Sequence, residues 1–257
     1  MLYLVGMGLC DEKDLSVRAV ETLKRCDKVY IELYTNPVGH DLVERLERLI
    51  GRDVEVLERN DIEDDEKMLS RFKEAVDREI ALVVPGDPLI ATTHTSLIRS
   101  AVDIGIRYRV IHGSSVISAA IGESGLHVYK FGPPVTIPRW YDNYTPLSPY
   151  DKVYENRSRG LHTILLIDIV QENGNRANLP IRDVLSILYR MEEVRGKGLF
   201  TPSSSVVVLS RLGCKDQRIV YAPLNWFEDR TVPSPFVMIV PGDLHFTEKE
   251  WLDMFKP

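Results

Sequence analysis

The chain has 257 residues, enough for one large domain or two small ones with a sizeable core. Its 44% hydrophobic and 27% charged residues are ordinary for a globular protein. A net charge of −6 excludes a global basic field for nucleic acid and leaves only a local patch open. No stretch is long and apolar enough to span a bilayer. The three cysteines, Cys10, Cys26 and Cys214, form no CxxC pair. Their odd number and scatter fit a reducing compartment, so a cytoplasmic protein is expected.

The first half alternates between two periodicities. "MLYLVG" is an apolar run ended by glycine and reads as a buried strand, with no positive leader that would make it a signal peptide. From Asp14, "DLSVRAVETLKRC" repeats Leu15, Ala19, Val20 and Leu23 at helical spacing. "KVYIELY" is a second strand. "HDLVERLERLIG" sets Leu42, Val43, Leu46, Leu49 and Ile50 on one helical face, with Gly51 as C-cap. "DVEVLER" is a strand, "EKMLSRFKEAV" a helix, "IALVVPG" a strand, "SLIRSAVDIGI" a helix and "YRVIHG" a fifth strand. Such alternation predicts βα units on a parallel sheet, and strands apolar throughout predict helices on both faces.

After "HGSS" the pattern changes. Residues 129–160 are rich in Pro, Tyr and Asn and lack long helical periodicity. "HTILLIDIV" then reads as a strand, and "PIRDVLSILYRMEEV" as a helix with Pro180 near its first turn. "SSVVVLSRLG", "QRIVYAP" and "PFVMIVPG" read as strands. Thr247 to Glu250 is a capping-box pattern opening a last short helix. Successive strands without helices predict a mixed sheet. The expected fold is therefore two α/β domains, residues 1–112 with a mostly parallel sheet and 113–257 with a mixed one. One internal echo stands out: "VVPGDPL" at 83–89 is answered by "IVPGDLH" at 239–245, though Pro-Gly-Asp is good turn chemistry anywhere.

Three loops carry candidate chemistry. Gly6 and Gly8 follow the first strand and Glu32 ends the second, as in a dinucleotide fold. The third glycine of G-x-G-x-x-G is missing, and Asp11 and Glu12 would repel a pyrophosphate, so a tight strand–loop turn is the preferred reading. "PGDPLIATTH" sits at the C-terminal end of a central strand, where open parallel sheets bind ligands. Asp87 is held there between prolines and can accept from an ammonium or ribose hydroxyls; the plainer role is capping the next helix. "HGSSVISAA" offers Gly113, Ser114 and Ser115 at a helix start. Ile117 stands where a nucleophile elbow needs glycine, which argues against a serine hydrolase. The six histidines form no close metal pair, so no metal is expected. No residue stands out as a catalytic group.

"LYLVGMGL", "PGDPLIATTH", "VIHGSSVISAAIGESGLHVYKFG", "RGLHTILLIDI", "VVVLSRLG" and "FVMIVPGDLHFTE" together resemble the diphthine synthases. These belong to the tetrapyrrole-methylase class of S-adenosylmethionine-dependent methyltransferases. The resemblance spans nearly the whole chain. The Gly-Asp-Pro loop marks the wide class; the serine-rich segment running into "GLHVYKFG" marks the narrower group. The first loop reads Gly8-Leu9-Cys10-Asp11 where the wider class has a glycine–proline–glycine form, as diphthine synthases also do.

The resemblance implies a donor cleft between the two domains and a homodimer. Matching motif positions places the donor against Leu9, Asp87, Ile90, Ser115, Val116, Leu166, Leu209, Ser210 and Phe236. It implies methylation of the amino nitrogen of a 3-amino-3-carboxypropyl group on one histidine of translation elongation factor 2. The products would be diphthine and S-adenosylhomocysteine, with neither nucleic acid nor membrane as a direct partner. A sulfonium donor leaves as a neutral thioether, so orientation carries most of the acceleration. "PGDP" then reads as a rigid bracket for the donor rather than a catalytic acid. Three other readings remain: a precorrin methyltransferase with a similar donor site, an NAD-dependent oxidoreductase built on "VGMGL" and Glu32, and a non-catalytic scaffold.

Overall fold

The computed structural model describes residues 1–33, 41–57, 65–172 and 175–257. By internal contacts the chain divides into Met1–Val116 and Ile117–Pro257. The first unit holds strands β1 (Leu2–Gly6), β2 (Lys28–Glu32), β3 (Val54–Leu57), β4 (Ile80–Val84) and β5 (Tyr108–Ile111). They form one parallel sheet of order β3-β2-β4-β1-β5. Between them run helices α1 (Val17–Arg25), α2 (Leu42–Ile50), α3 (Asp65–Phe72) and α4 (His94–Asp103).

The strands are apolar throughout because both faces are covered. Tyr3, Val5, Ala81 and Val83 point to one face, packed on Ala19 and Leu23 of α1 and Leu42, Leu46 and Ile50 of α2. Leu2, Leu4, Ile80, Leu82 and Val84 point to the other, packed on Met68 and Phe72 of α3 and Leu97, Ile98 and Ala101 of α4. Each such buried aliphatic stabilises the fold by about 1.5–3 kcal/mol relative to exposure. Gly51 closes α2 at φ 68°, as the sequence predicts. α1 differs: Ser16 caps it by accepting from the Ala19 amide at 3.1 Å, and Asp14 turns back into the first loop. Cys26 is a buried free thiol that burial pushes up to about 11; the expectation of reduced cysteines is met at this position alone. The expected "LY" end of β2 and "ER" end of β3 lie at or beyond the limits of the described residues.

The second unit holds β6 (Val135–Ile137), β7 (Thr163–Ile167), β10 (Ser205–Ser210), β11 (Arg218–Pro223) and β12 (Phe236–Val240) in the order β11-β10-β12-β7-β6. The β6–β7 pair is parallel and the others antiparallel, so the sheet is mixed as expected. A hairpin, β8 (Ile169–Glu172) and β9 (Asn175–Asn178), splits "HTILLIDIV" in two at Asp168. The remaining helices are α5 (Val116–Ser124), α6 (Ser148–Ser158), α7 (Ile181–Arg195) and α8 (Phe246–Asp253). α6 and α7 cover one sheet face, where Tyr150, Val153, Val184 and Leu188 meet Leu165, Val208 and Met238. α6 lies inside the stretch expected to lack a helix. Its inward residues are Pro149, Tyr150, Val153 and Asn156, which leave no leucine stripe to read.

α8 is anchored by a buried carboxylate. Its N-cap is His245 and the acidic partner of the capping box is Glu248, two residues earlier than the Thr247–Glu250 pattern suggests. Glu248 is fully buried and accepts from the amides of His127 and His245, each at 2.7 Å. It also accepts from Lys130 Nζ at 2.6 Å and from His162 Nε2 at 3.1 Å. The Gly242 amide donates to His162 Nδ1 at 2.8 Å, so that ring is neutral with its proton on Nε2. Burial holds His162 below its ordinary value.

Candidate functional site

In the first unit, the C-terminal ends of β1, β4 and β5 meet at three glycines. A Cβ on Gly113 would lie 2.5 Å from the Gly86 carbonyl oxygen, and one on Gly6 would lie 2.4 Å from the Gly113 nitrogen. Only bare backbone fits, so the sequence places glycine after each strand. Gly8 and Gly86 exchange backbone hydrogen bonds at 2.7 and 3.2 Å, which ties the first loop to the "PGDP" loop. Gly86 takes φ 72°, a left-handed conformation that disfavours side chains.

Asp87 is almost buried, and both carboxylate oxygens are engaged. Oδ1 accepts from the Leu89 amide at 2.9 Å, an Asx turn that fixes the loop. Oδ2 accepts from His112 Nδ1 at 2.8 Å. The loop is further held by His94, whose Nδ1 lies 3.1 Å from the Pro88 carbonyl and 2.6 Å from Thr92 Oγ1. Ala91 also adopts a positive φ of 56°. Leu89 packs into the core while Ile90 stays exposed. Leu9 sits in the loop after β1, and α5 starts at Val116 directly after Ser115. Thus Leu9, Asp87, Ile90, Ser115 and Val116 all lie at the C-terminal edge of one parallel sheet, the general ligand edge of such folds.

In the second unit the implied residues also gather at one sheet end. Leu166 pairs with Val237, Val237 with Leu209, and Phe236 with Ser210. Alternation puts Leu166 and Leu209 on the face away from α6 and α7. The Phe236 side chain instead packs into the core under those helices. Ser210 is buried and its hydroxyl donates to the Pro233 carbonyl at 2.5 Å. Asn178, which the sequence did not single out, ties this end together. Its Oδ1 accepts from the Phe236 amide at 2.8 Å and its Nδ2 donates to the Ile167 carbonyl at 2.9 Å.

The first loop does not favour a pyrophosphate. Asp14 Oδ2 already accepts from the amides of Leu9 and Cys10, at 3.2 and 2.7 Å. Glu32, the candidate ribose acid, is fully buried with His94 Nε2 at 3.7 Å. The turn after β4 instead presents an exposed Ile90 and a carboxylate fixed at both oxygens, and a Cβ on Gly86 would meet only the Ser114 carbonyl oxygen, at 4.0 Å. Residues 1–226 match the family of tetrapyrrole (corrin/porphyrin) methylases. The chain belongs to that family and is an S-adenosylmethionine-dependent methyltransferase. Its relatives are narrower. A diphthine synthase of Methanothermobacter thermautotrophicus is 39% identical over 253 residues, covering 98% of this chain and 94% of that one. A diphthine methyl ester synthase of Schizosaccharomyces pombe is 37% identical over 269 residues, 98% and 93% of the two chains. A crystal structure of a diphthine synthase superposes with a TM-score of 0.85 at 31% identity, covering 100% of this chain and 96% of that one.

Proposed function

We propose that this chain methylates the amino nitrogen of the 3-amino-3-carboxypropyl group borne by one histidine of translation elongation factor 2. The enzyme works in diphthamide biosynthesis, and diphthine is the product. The observation that carries the reading is the full-length match to diphthine synthases, which extends through both units and not only the Asp87 loop. S-adenosylmethionine is the donor, and its proposed contacts are Leu9, Asp87, Ile90, Ser115 and Val116, together with Leu166, Leu209 and Ser210; the Phe236 side chain, turned into the core, is left out. The enzyme acts in the cytoplasm as a homodimer.

When bound, the donor supplies a methyl group on a sulfonium and leaves as a neutral thioether. The chain's own work is orientation. Asp87, pinned by Leu89 and His112, gives a turn with little freedom, and Gly86 lets a ligand approach the backbone. Ile90 offers an apolar surface. Holding the reacting atoms in line in this way can supply most of the acceleration such a transfer needs.

The deciding experiment incubates purified chain, S-adenosylmethionine and the unmethylated precursor of elongation factor 2, and reads the modified peptide by mass spectrometry. Methylation of the modified histidine is expected, and the same spectrum counts the groups added. No mass gain on that peptide, with transfer to a precorrin instead, would reject the assignment.

A further inference from the structure

We propose, resting on that reading, that His112 is the base that takes the proton from the acceptor's ammonium group. His112 leaves the end of β5 three positions before Ser115, and its Nδ1 lies 2.8 Å from Asp87 Oδ2. The ring therefore bridges two of the segments assigned to the donor. An ionised carboxylate can only accept, so the ring proton sits on Nδ1 and the lone pair on Nε2. The Asp87 side chain is 5% exposed and that of His112 is 68% exposed, so a buried acid orients an imidazole open to a substrate. The other described histidines differ. His94 and His162 are buried, His127 lies 3.6 Å from Glu248, and His245 Nδ1 faces Thr247 Oγ1 at 2.8 Å.

The chemistry needs such a group. An ammonium has no lone pair to attack with. His112 Nε2 takes a proton as the substrate N–H bond breaks, and the freed pair forms the new C–N bond. The C–S bond breaks with its electrons left on sulfur, and the product nitrogen carries the charge. A second methyl requires another deprotonation, so the imidazolium must first return its proton to water, which its exposure allows. Proton transfer to a positioned side chain typically contributes about 10²–10⁴-fold, so loss of this base should cost at least about tenfold.

Two measurements test this. In protein labelled with 15N-histidine, without donor, His112 is expected to show a protonated Nδ1 and a bare Nε2, and to lose that preference in Asp87→Asn. A proton on Nε2 instead overturns the proposal. In methyl transfer, His112→Gln, which can still donate to Asp87 but takes up no proton, is expected to lower kcat about tenfold or more with S-adenosylhomocysteine affinity unchanged, and His112→Ala at saturating donor is expected to regain rate with added imidazole. An unchanged rate in His112→Gln, or a loss in His112→Ala that imidazole does not restore, overturns it. Should His112→Ala lose S-adenosylhomocysteine binding, His112→Gln decides. Lost rate with intact binding supports the base and retained rate rejects it. A wild-type chain that transfers no methyl group sinks the enzymatic reading and this one together; an active wild type with an equally active His112→Ala sinks this one alone.

Discussion

Replacing Glu248 by Gln should destabilise the protein strongly at neutral pH and barely at all in acid. Burial alone would raise this carboxyl. The Lys130 ammonium, the amides of His127 and His245 and the His162 ring outweigh it and hold Glu248 at about 2, against an ordinary 4.5. The carboxyl is fully buried, so that difference converts to about 3 kcal/mol of folding free energy. The folded value is the lower one, so this stability is complete above about pH 4.5 and is lost as pH falls toward 2. Glutamine keeps the shape but not the charge. It must also turn an amide N–H₂ toward groups that are themselves donors.

Urea unfolding of wild type and Glu248→Gln should differ by about 3 kcal/mol at pH 7, a gap that narrows below pH 4.5 and closes near pH 2. The carboxylate is fully buried, so added salt should change the gap little. His162 adds to the acid sensitivity of both proteins. Its proton is resisted in the fold, so its contribution is full above the ordinary histidine value of 6.5 and declines as pH falls below it. A gap equally large at pH 3 and pH 7 would show that Glu248 contributes shape alone and refute the reasoning.

Asn178→Ala should cost about 2–4 kcal/mol in chemical denaturation, because the buried Phe236 amide and Ile167 carbonyl each lose a partner. Gly113→Ala drives a methyl against the Gly86 carbonyl and the Gly6 backbone, and should cost about 1–3 kcal/mol with a measurable loss of S-adenosylhomocysteine affinity by calorimetry. Asp87→Ala should weaken that affinity strongly while circular dichroism stays native; unchanged affinity would reject the bracket role. Cys26, buried with its thiol near 11, should resist thiol reagents at pH 8 in the native protein and react only on unfolding.

The parallel sheet was readable because two covered faces demand strands apolar at every position, a pattern visible in "LYLV" and "IALVV" alone. α2 was readable for the complementary reason, a single leucine face ended by glycine. α6 was not, since Tyr150 and Asn156 do its inward work through hydrogen bonds to Glu192 and Pro133 rather than through aliphatic burial. β6 and β9 are short: β6 is made a strand by parallel pairing with β7, well along the chain, and β9 by its hairpin with the neighbouring β8. The edge carrying Asp87 could be located from the strand before it. Its partner could not: His112 lies 25 positions away, and parallel pairing of β1 with both β4 and β5 brings the two strand ends together. In the second unit the implied residues share one sheet end but not one face, because motif matching carries no face information: Phe236 packs under α6 and α7, whereas Leu166 and Leu209 point to the other face.

The two Pro-Gly-Asp turns sharpen the point that turn chemistry is not site chemistry. Each ends a buried strand, β4 or β12, and each involves a histidine. At the first, the Asp87 side chain is buried and grips the imidazole of an exposed His112. At the second, the Asp243 side chain is exposed, and it is the Gly242 amide that meets a buried His162. A Cβ on Gly242 would lie 2.4 Å from the Gly160 carbonyl oxygen, so that glycine serves close backbone packing, whereas one on Gly86 would come no nearer than 4.0 Å to its neighbour, the Ser114 carbonyl oxygen. The polarity is reversed: one turn presents a ring outward from a fixed carboxylate, and the other locks a ring inward against Glu248. The same three letters therefore present an exposed imidazole in one unit and build a structural anchor in the other. What separates them is whether the aspartate or the glycine amide faces the histidine.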